Sequence, residues 1–137
     1  MSTLGLASLQ VKTIDHVTLV VKDLERSRQF YENVLGMTPS PRPDFPFPGL
    51  WFEAGQTWIH MNVEGPEAGP AGMVPFEGLS PSRGFHIAFM VNDCDAAAER
   101  LRAMGVTIVT GPRPRPDGAR QLYIYDPDNY LIEITSP

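Results

Sequence analysis

The chain has 137 residues, 42% of them apolar, with a formal net charge of −5 and a sequence isoelectric point near 5.1. That length holds one compact domain, or two small half-domains sharing a core, and the apolar fraction is ordinary for a folded protein. The acidic balance excludes nucleic acid as a main partner, and no apolar run approaches the roughly 18 residues of a membrane span.

Residues 1–12 carry little pattern and show neither a basic n-region nor a sustained apolar stretch, so no signal peptide is expected. From 14 to 22 an alternation reads as a strand, with His16, Thr18 and Val20 on one face and Val17, Leu19 and Val21 on the other. Asp23 is placed to N-cap a helix over 24–35, whose stripe is Leu24, Phe30, Tyr31, Val34 and Leu35, and Gly36 supplies a left-handed C-cap. The proline-heavy stretch 39–48 argues against a central strand there. Two short strands follow, 49–54 and 57–63, with Gly55 and Gln56 as the hairpin turn.

Residues 64–83 hold four Gly and four Pro without periodicity, and read as the connection between two halves. The chain then restarts at Phe85, with His86, Ala88 and Met90 on one strand face and Phe85, Ile87, Phe89 and Val91 on the other. A helix over 94–104 turns Cys94, Ala97, Leu101 and Met104 inward. Cys94 is the chain's one cysteine, has no partner for an intrachain disulfide, and reads as a small buried residue. A short strand at 106–110 leads to the loop 111–118 with its two arginines. Two last strands, 119–125 and 130–135, are joined by a tight turn over 126–129 whose Pro127 and Asn129 suit its geometry.

The second half repeats the first. His16 and His86 each open a strand, each is followed seven residues later by an Asp (23, 93), and each ensuing helix stops at a Gly (36, 105). Such self-similarity predicts an α+β fold of two strand–helix–strands modules, about 14–63 and 84–135, within a single domain. Helices cover one face of each small sheet, and the histidine-bearing faces are left to line a shared concavity.

All three histidines, His16, His60 and His86, fall in predicted strands. Glu133 lies amid apolar residues on the last strand, where an unpaired carboxylate is costly. Imidazoles and a carboxylate converging from four strands meet the needs of a divalent cation such as Zn, Ni, Fe, Mn or Co. Glu133 is the first candidate for proton transfer and His60 the second. Trp51, Trp58, Gln121 and Tyr123 are candidates to line the substrate pocket, and Arg113, Arg115 and Arg120 could meet an anionic group.

The segments 15–17, 23–31, 34–36, 85–87, 126–128 and 132–133 together resemble the vicinal oxygen chelate superfamily, which contains glyoxalase I, methylmalonyl-CoA epimerase, fosfomycin-resistance proteins and extradiol dioxygenases. The resemblance runs from about 14 to 135. It implies paired βαβββ modules in a cupped mixed sheet with outer helices, and metal ligands His16, His60, His86 and Glu133 from the first and last strand of each module. It also implies a homodimer. Two positions depart from the family pattern: Asn129 stands in the turn that usually carries Asp-Pro-Asp-Gly-Asn, and His60 stands where glyoxalase I-like proteins tend to carry Glu or Gln. The resulting expectation is a cytoplasmic, divalent-metal-dependent lyase or isomerase, acting by proton transfer on a small substrate that chelates the metal. An iron dioxygenase using His16, His86 and Glu133, or a metal-free drug-sequestering protein, are the alternatives.

Overall fold

The computed structural model describes residues 7–74 and 80–137. Positions 1–6 of the lead-in and 75–79 of the connection lie outside the described residues. Strand β1 (His16–Val21) is followed by α1 (Leu24–Gln29), β2 (Thr38–Ser40), β3 (Gly49–Ala54) and β4 (Thr57–Val63). Then come β5 (Ile87–Met90), α2 (Cys94–Ala103), β6 (Thr110–Pro114), β7 (Arg120–Tyr125) and β8 (Leu131–Ser136). The strands form two four-stranded sheets of identical design, ordered β1-β4-β3-β2 and β5-β8-β7-β6. In each the first strand runs parallel to the last and the remaining pairs are antiparallel. The fold is α+β, as the internal repeat requires.

The alternation of β1 divides its faces as expected. Leu19 and Val21 are buried against the helices, while His16 and Thr18 stay exposed. Both helices start alike, with the Asp23 carboxylate accepting the Arg26 N–H and the Asp93 carboxylate accepting the Ala96 N–H. Their histidine-free faces build one core, in which Leu19, Tyr31, Phe52, Ile59 and Met61 meet Leu101, Leu122, Ile124, Ile132 and Ile134. No helix among the described residues is long and apolar enough to cross a membrane.

Three local expectations are corrected, and one edge strand is added to those expected. The first helix is α-helical only to Gln29 and then widens into a π-helical turn, Phe30–Val34, closed by the Leu35 N–H on the Phe30 carbonyl (3.1 Å). The wider turn accommodates two adjacent aromatics that both pack on the core, Phe30 and Tyr31. Thr38–Ser40 forms a strand despite Pro39, because β2 is an edge, where a missing N–H can face solvent. The strand expected at 106–110 lies at Thr110–Pro114 instead, again an edge that tolerates its prolines, with a register irregularity between Thr110 and Arg113. On α2 the inward residues are Cys94, Ala98 and Leu101, with Ala97 only partly covered. The helix ends at Ala103, which leaves Met104 47% exposed.

The two sheets do not join into one within the chain. β1 and β5 are both edge strands. The modules are instead tied on the helix side by the 126–130 turn. The Tyr31 hydroxyl donates to Asp126 Oδ2 (2.8 Å), Arg26 Nη2 to Asp128 Oδ1 (2.8 Å), and the Tyr130 hydroxyl to the Val20 carbonyl (2.6 Å). Asn129 takes the left-handed conformation (φ 64°) that the turn needs.

Candidate functional site

The free face of the first sheet carries a column of flat rings. Parallel pairing sets His16 beside Trp58 and Thr18 beside His60, and antiparallel pairing sets Trp51 opposite His60. Trp51, His60 and His16 therefore share a face. They stack at centroid separations of 4.0 Å (2° between planes) and 3.9 Å (13°). Trp58 is held by its indole N–H on the Ser40 hydroxyl (3.2 Å). The Asp15 carboxylate lies 2.7 Å from His16 Nδ1, which fixes the ring and leaves Nε2 as the outward nitrogen. No hydrogen bond ties either ring nitrogen of His60 among the described residues. Burial first, and then the His16 charge, lower its pKa from 6.5, so the neutral base is favoured.

The stack limits how the two imidazoles act together. An imidazole lone pair lies in the ring plane, and two nearly parallel planes do not aim their lone pairs at one point. As arranged, His16 and His60 supply one donor to a common ion rather than the two expected from the sequence.

The second sheet holds the acidic half. Glu133, 4% exposed, faces Tyr123 directly across β7–β8. Its Oε1 lies 3.0 Å from His86 Nε2 and accepts from the Tyr123 hydroxyl at 3.0 Å. Its Oε2 accepts from Arg115 Nη1 at 2.9 Å. Burial first, then the hydrogen bond to Glu133, push the Tyr123 phenol up to about 12, so it remains a donor at neutral pH. Gln121 is buried on the same face, opposite Thr135.

The three loop arginines separate. Arg115 grips Asp117 with Nε and Nη2 and reaches Glu133 with Nη1, whereas Arg120 is turned away onto Asp95. Arg113 lies in β6, and no ion pair holds it among the described residues.

Whether a cation suits this half is decided by His86. Its Nδ1 lies 2.9 Å from the Gly84 carbonyl, which can only accept, so Nδ1 carries a hydrogen. Nε2 lies 3.0 Å from Glu133 Oε1, an acceptor. A proton or a shared cation resolves that contact. The donor pair thus fits a divalent ion, with Arg115 as the positive group that such an ion would meet at Oε2.

Within one chain the four expected ligands fall into two groups, His16 with His60 and His86 with Glu133. No set of three or more His, Cys, Asp or Glu side chains is gathered to hold a metal among the described residues. A concavity of about 1170 Å³ takes in His86 with Ala88 and Met90 from the same strand face, and neither His16 nor His60. It runs along the free edge of β5 between Phe85, Phe89, Leu35 and Met104.

The fold has a counterpart among known proteins. The model of the Glyoxalase/Bleomycin resistance protein/Dioxygenase superfamily matches residues 13–134. The chain belongs to that superfamily. Among curated superfamily members it is 29% identical over 129 residues to Glyoxylase I 4 of Arabidopsis thaliana, covering 92% of this chain and 71% of that protein. It is 32% identical over 127 residues to a lactoylglutathione lyase of Neisseria meningitidis serogroup A, covering 87% and 86%. The crystal structure of the fosfomycin resistance protein FosX from Listeria monocytogenes superposes with a TM-score of 0.68 at 27% identity, over 93% of this chain and 95% of that one. The superfamily's vicinal oxygen chelate fold is thus the fold of this glyoxalase-like protein.

Sequence reasoning missed Asp15 as the group that orients His16, and Arg42, Phe45 and Phe47 beside Trp51. The signal for the last three was present: a cation and two aromatics inside a ten-residue stretch, 39–48, that holds five prolines.

Proposed function

We propose that this glyoxalase-like protein is a divalent-metal-dependent lyase or isomerase of the cytoplasm that moves a proton on a small oxygenated substrate. The observation that carries the proposal is the approach of His86 Nε2 to Glu133 Oε1 (3.0 Å), an imidazole and a carboxylate placed where one cation can meet both. His16, His86 and Glu133 would hold the ion. When bound, it supplies Lewis acidity to two neighbouring substrate oxygens.

Glu133 has its oxygens engaged by His86, Tyr123 and Arg115, which makes it an anchored carboxylate rather than a free base. His60 takes the proton-accepting role instead. It is neutral, its ring nitrogens are free of hydrogen bonds among the described residues, and Trp51 and His16 hold its ring on both sides. The Tyr123 hydroxyl, kept protonated, donates to Glu133 Oε1 and holds that carboxylate in place.

The two half-sites are brought together by a second copy. Edge strands β1 and β5 each keep one free edge, and Ile14 (63% exposed), Phe85 (63%) and Met90 (75%) flank or lie on them. Pairing β1 of one protomer with β5 of its partner would set His16 and His60 against the partner's His86 and Glu133, and would cover the cleft along β5.

The same two-imidazole, one-carboxylate set also suits iron oxygen chemistry, and the stacking that removes His60 from it favours that second reading. The free base at His60 favours proton transfer.

The test is metal stoichiometry on chelator-free protein and on mixed variants. Wild type should bind near one divalent ion per chain, and His16→Ala and Glu133→Ala should each lose it. After the two variants are mixed, unfolded and refolded together, about one quarter of the sites should return, because half the chains pair heterologously and each such pair regains one intact site. No recovery places the site within one chain. No metal in wild type under excess ion removes the enzyme reading. Deuterium exchange from D2O into the C–H beside the chelating oxygens of 2-oxo and 2-hydroxy acids, without oxygen uptake, separates proton transfer from oxygen chemistry.

A further inference from the structure

Among the described residues, a cation without an acid partner lies next to the ring column. Arg42 is in none of the ion pairs among the described residues, and its Nε is buried without a hydrogen-bond partner. Its Nη2 donates to the Phe47 carbonyl (3.0 Å). Its guanidinium carbon sits 4.9 Å from the Phe45 ring centroid and 5.1 Å from that of Phe47. The charge is near enough to the site to oppose protonation of His60. It also rests on Gly49, where an added Cβ would come within 2.8 Å of Nη2 and 2.6 Å of the Met61 carbonyl. An arginine packed this closely onto the sheet, yet paired with no carboxylate among the described residues, has a fork shaped to meet an anion.

The neighbouring rings add a second feature. Within the column, Trp51, His60 and His16 are closed stacks near 4 Å. The column then opens: Phe45 stands 6.2 Å from Trp51 and is inclined at 49°, so the two rings diverge. Phe45 and Phe47 stack on each other at 5.3 Å, yet are 40% and 47% exposed. Trp51 and Phe45 thus bound a wedge at the sheet margin, which an entering flat ring can widen by moving the exposed Phe45 outward.

The geometry points to a binding subsite for a planar aromatic carboxylate, with the ring between Trp51 and Phe45 and the carboxylate on Arg42. A ring entering there moves Phe45 outward and uncovers the guanidinium edge that has no partner among the described residues. The inference rests on the reading of the His60 face as the substrate face, and it names that substrate's class: an aryl group bearing an acid.

The test is ¹⁹F NMR titration of the full chain, stripped of metal with chelator, using 4-fluorobenzoate. Two companions divide the chemistry: 4-fluorobenzyl alcohol has the ring without the charge, and fluoroacetate the charge without the ring. Saturable binding of 4-fluorobenzoate, about tenfold or more tighter than either companion, is expected. Arg42→Gln should lower its affinity to that of the alcohol and leave the alcohol unchanged. Phe45→Leu should weaken both ring-bearing probes. If Arg42→Gln fails to fold by circular dichroism, Arg42→Lys serves, and it should fall between wild type and the alcohol level, since it keeps charge without the planar fork.

Absence of saturable binding, or binding unchanged in both loop variants, overturns the subsite. The titration needs no metal, so the two readings fail separately. 4-Fluorobenzoate bound by a chain that takes up no ion supports the subsite against the metal reading. Normal metal uptake without benzoate binding overturns the subsite alone.

Discussion

His60 is the residue on which the proposed proton transfer turns. Its imidazole is sandwiched between Trp51 and His16 and has a pKa below 6.5, with burial the main cause. The neutral form is the one favoured on folding, so its contribution to stability is present above 6.5 and lost as the pH falls through the lowered folded value. The same titration should appear in catalysis. The acid limb of kcat/KM should have its midpoint below 6.5, and His60→Gln should remove that limb and lower kcat by about 10²–10⁴-fold, with metal stoichiometry unchanged. A His60→Gln protein that loses its metal would show that His60 is a ligand after all. The sequence placed His60 on the right face, because strand periodicity fixes faces. It could not show the stacking, which depends on Trp51 lying across the antiparallel pair, nor that parallel rings aim their lone pairs apart. The His86–Glu133 contact was partly legible: an acid amid apolar residues on a buried strand needs partners. That Tyr123 and Arg115 are two of them follows from the β7–β8 register and from the loop folding back, which spacing does not reveal.

At the scale of elements, the 126–130 turn does more than reverse the chain. Asp126 accepts the Asp128 and Tyr130 N–H groups (2.8 and 2.9 Å) within the turn, and the Tyr31 hydroxyl from the other module. Burial raises its pKa in spite of these donors, so the folded protein keeps this carboxylate at some expense as the pH rises. Tyr31→Phe removes the cross-module donor from a buried acceptor and should lower unfolding stability by about 1.5–3 kcal/mol in urea titration at pH 7. A loss below 0.5 kcal/mol would mean that Asp126 is satisfied by its own turn alone. The turn itself could be read from Pro127 and Asn129, since left-handed geometry leaves a compositional trace. Its docking partner could not, because nothing near Tyr31 in the chain refers to residue 126. The edge strands β2 and β6 were obscured for the opposite reason. Their prolines argue against central strands, and an edge is where that argument does not apply.

For the whole molecule, the duplicated sheet order divides the work. The first sheet presents stacked rings and a guanidinium, and the second a carboxylate held among Tyr123, Arg115 and His86. Both readings of the site therefore need both modules, and the repeated sequence already indicated that two similar halves would be built. What it could not give was their relation, because residues that face a partner and residues that face solvent are both left uncovered in a single chain. If the partner edges do pair, dilution should separate protomers and release metal together. Sedimentation and metal content followed over the same concentration series should then show one midpoint. Metal retained by a monomer at the lowest concentration would contradict that assembly.

The hydrogen bonds that cross between Tyr31, Arg26 and Val20 on one side and Asp126, Asp128 and Tyr130 on the other also bear on how the chain loses its structure. Because the closing turn of one half is completed by the helix and first strand of the other, neither half retains its full set of partners once its neighbour melts. The slowest-exchanging amides of β4 and β8 should therefore share a single protection free energy and respond equally to denaturant, as one cooperative unit rather than two.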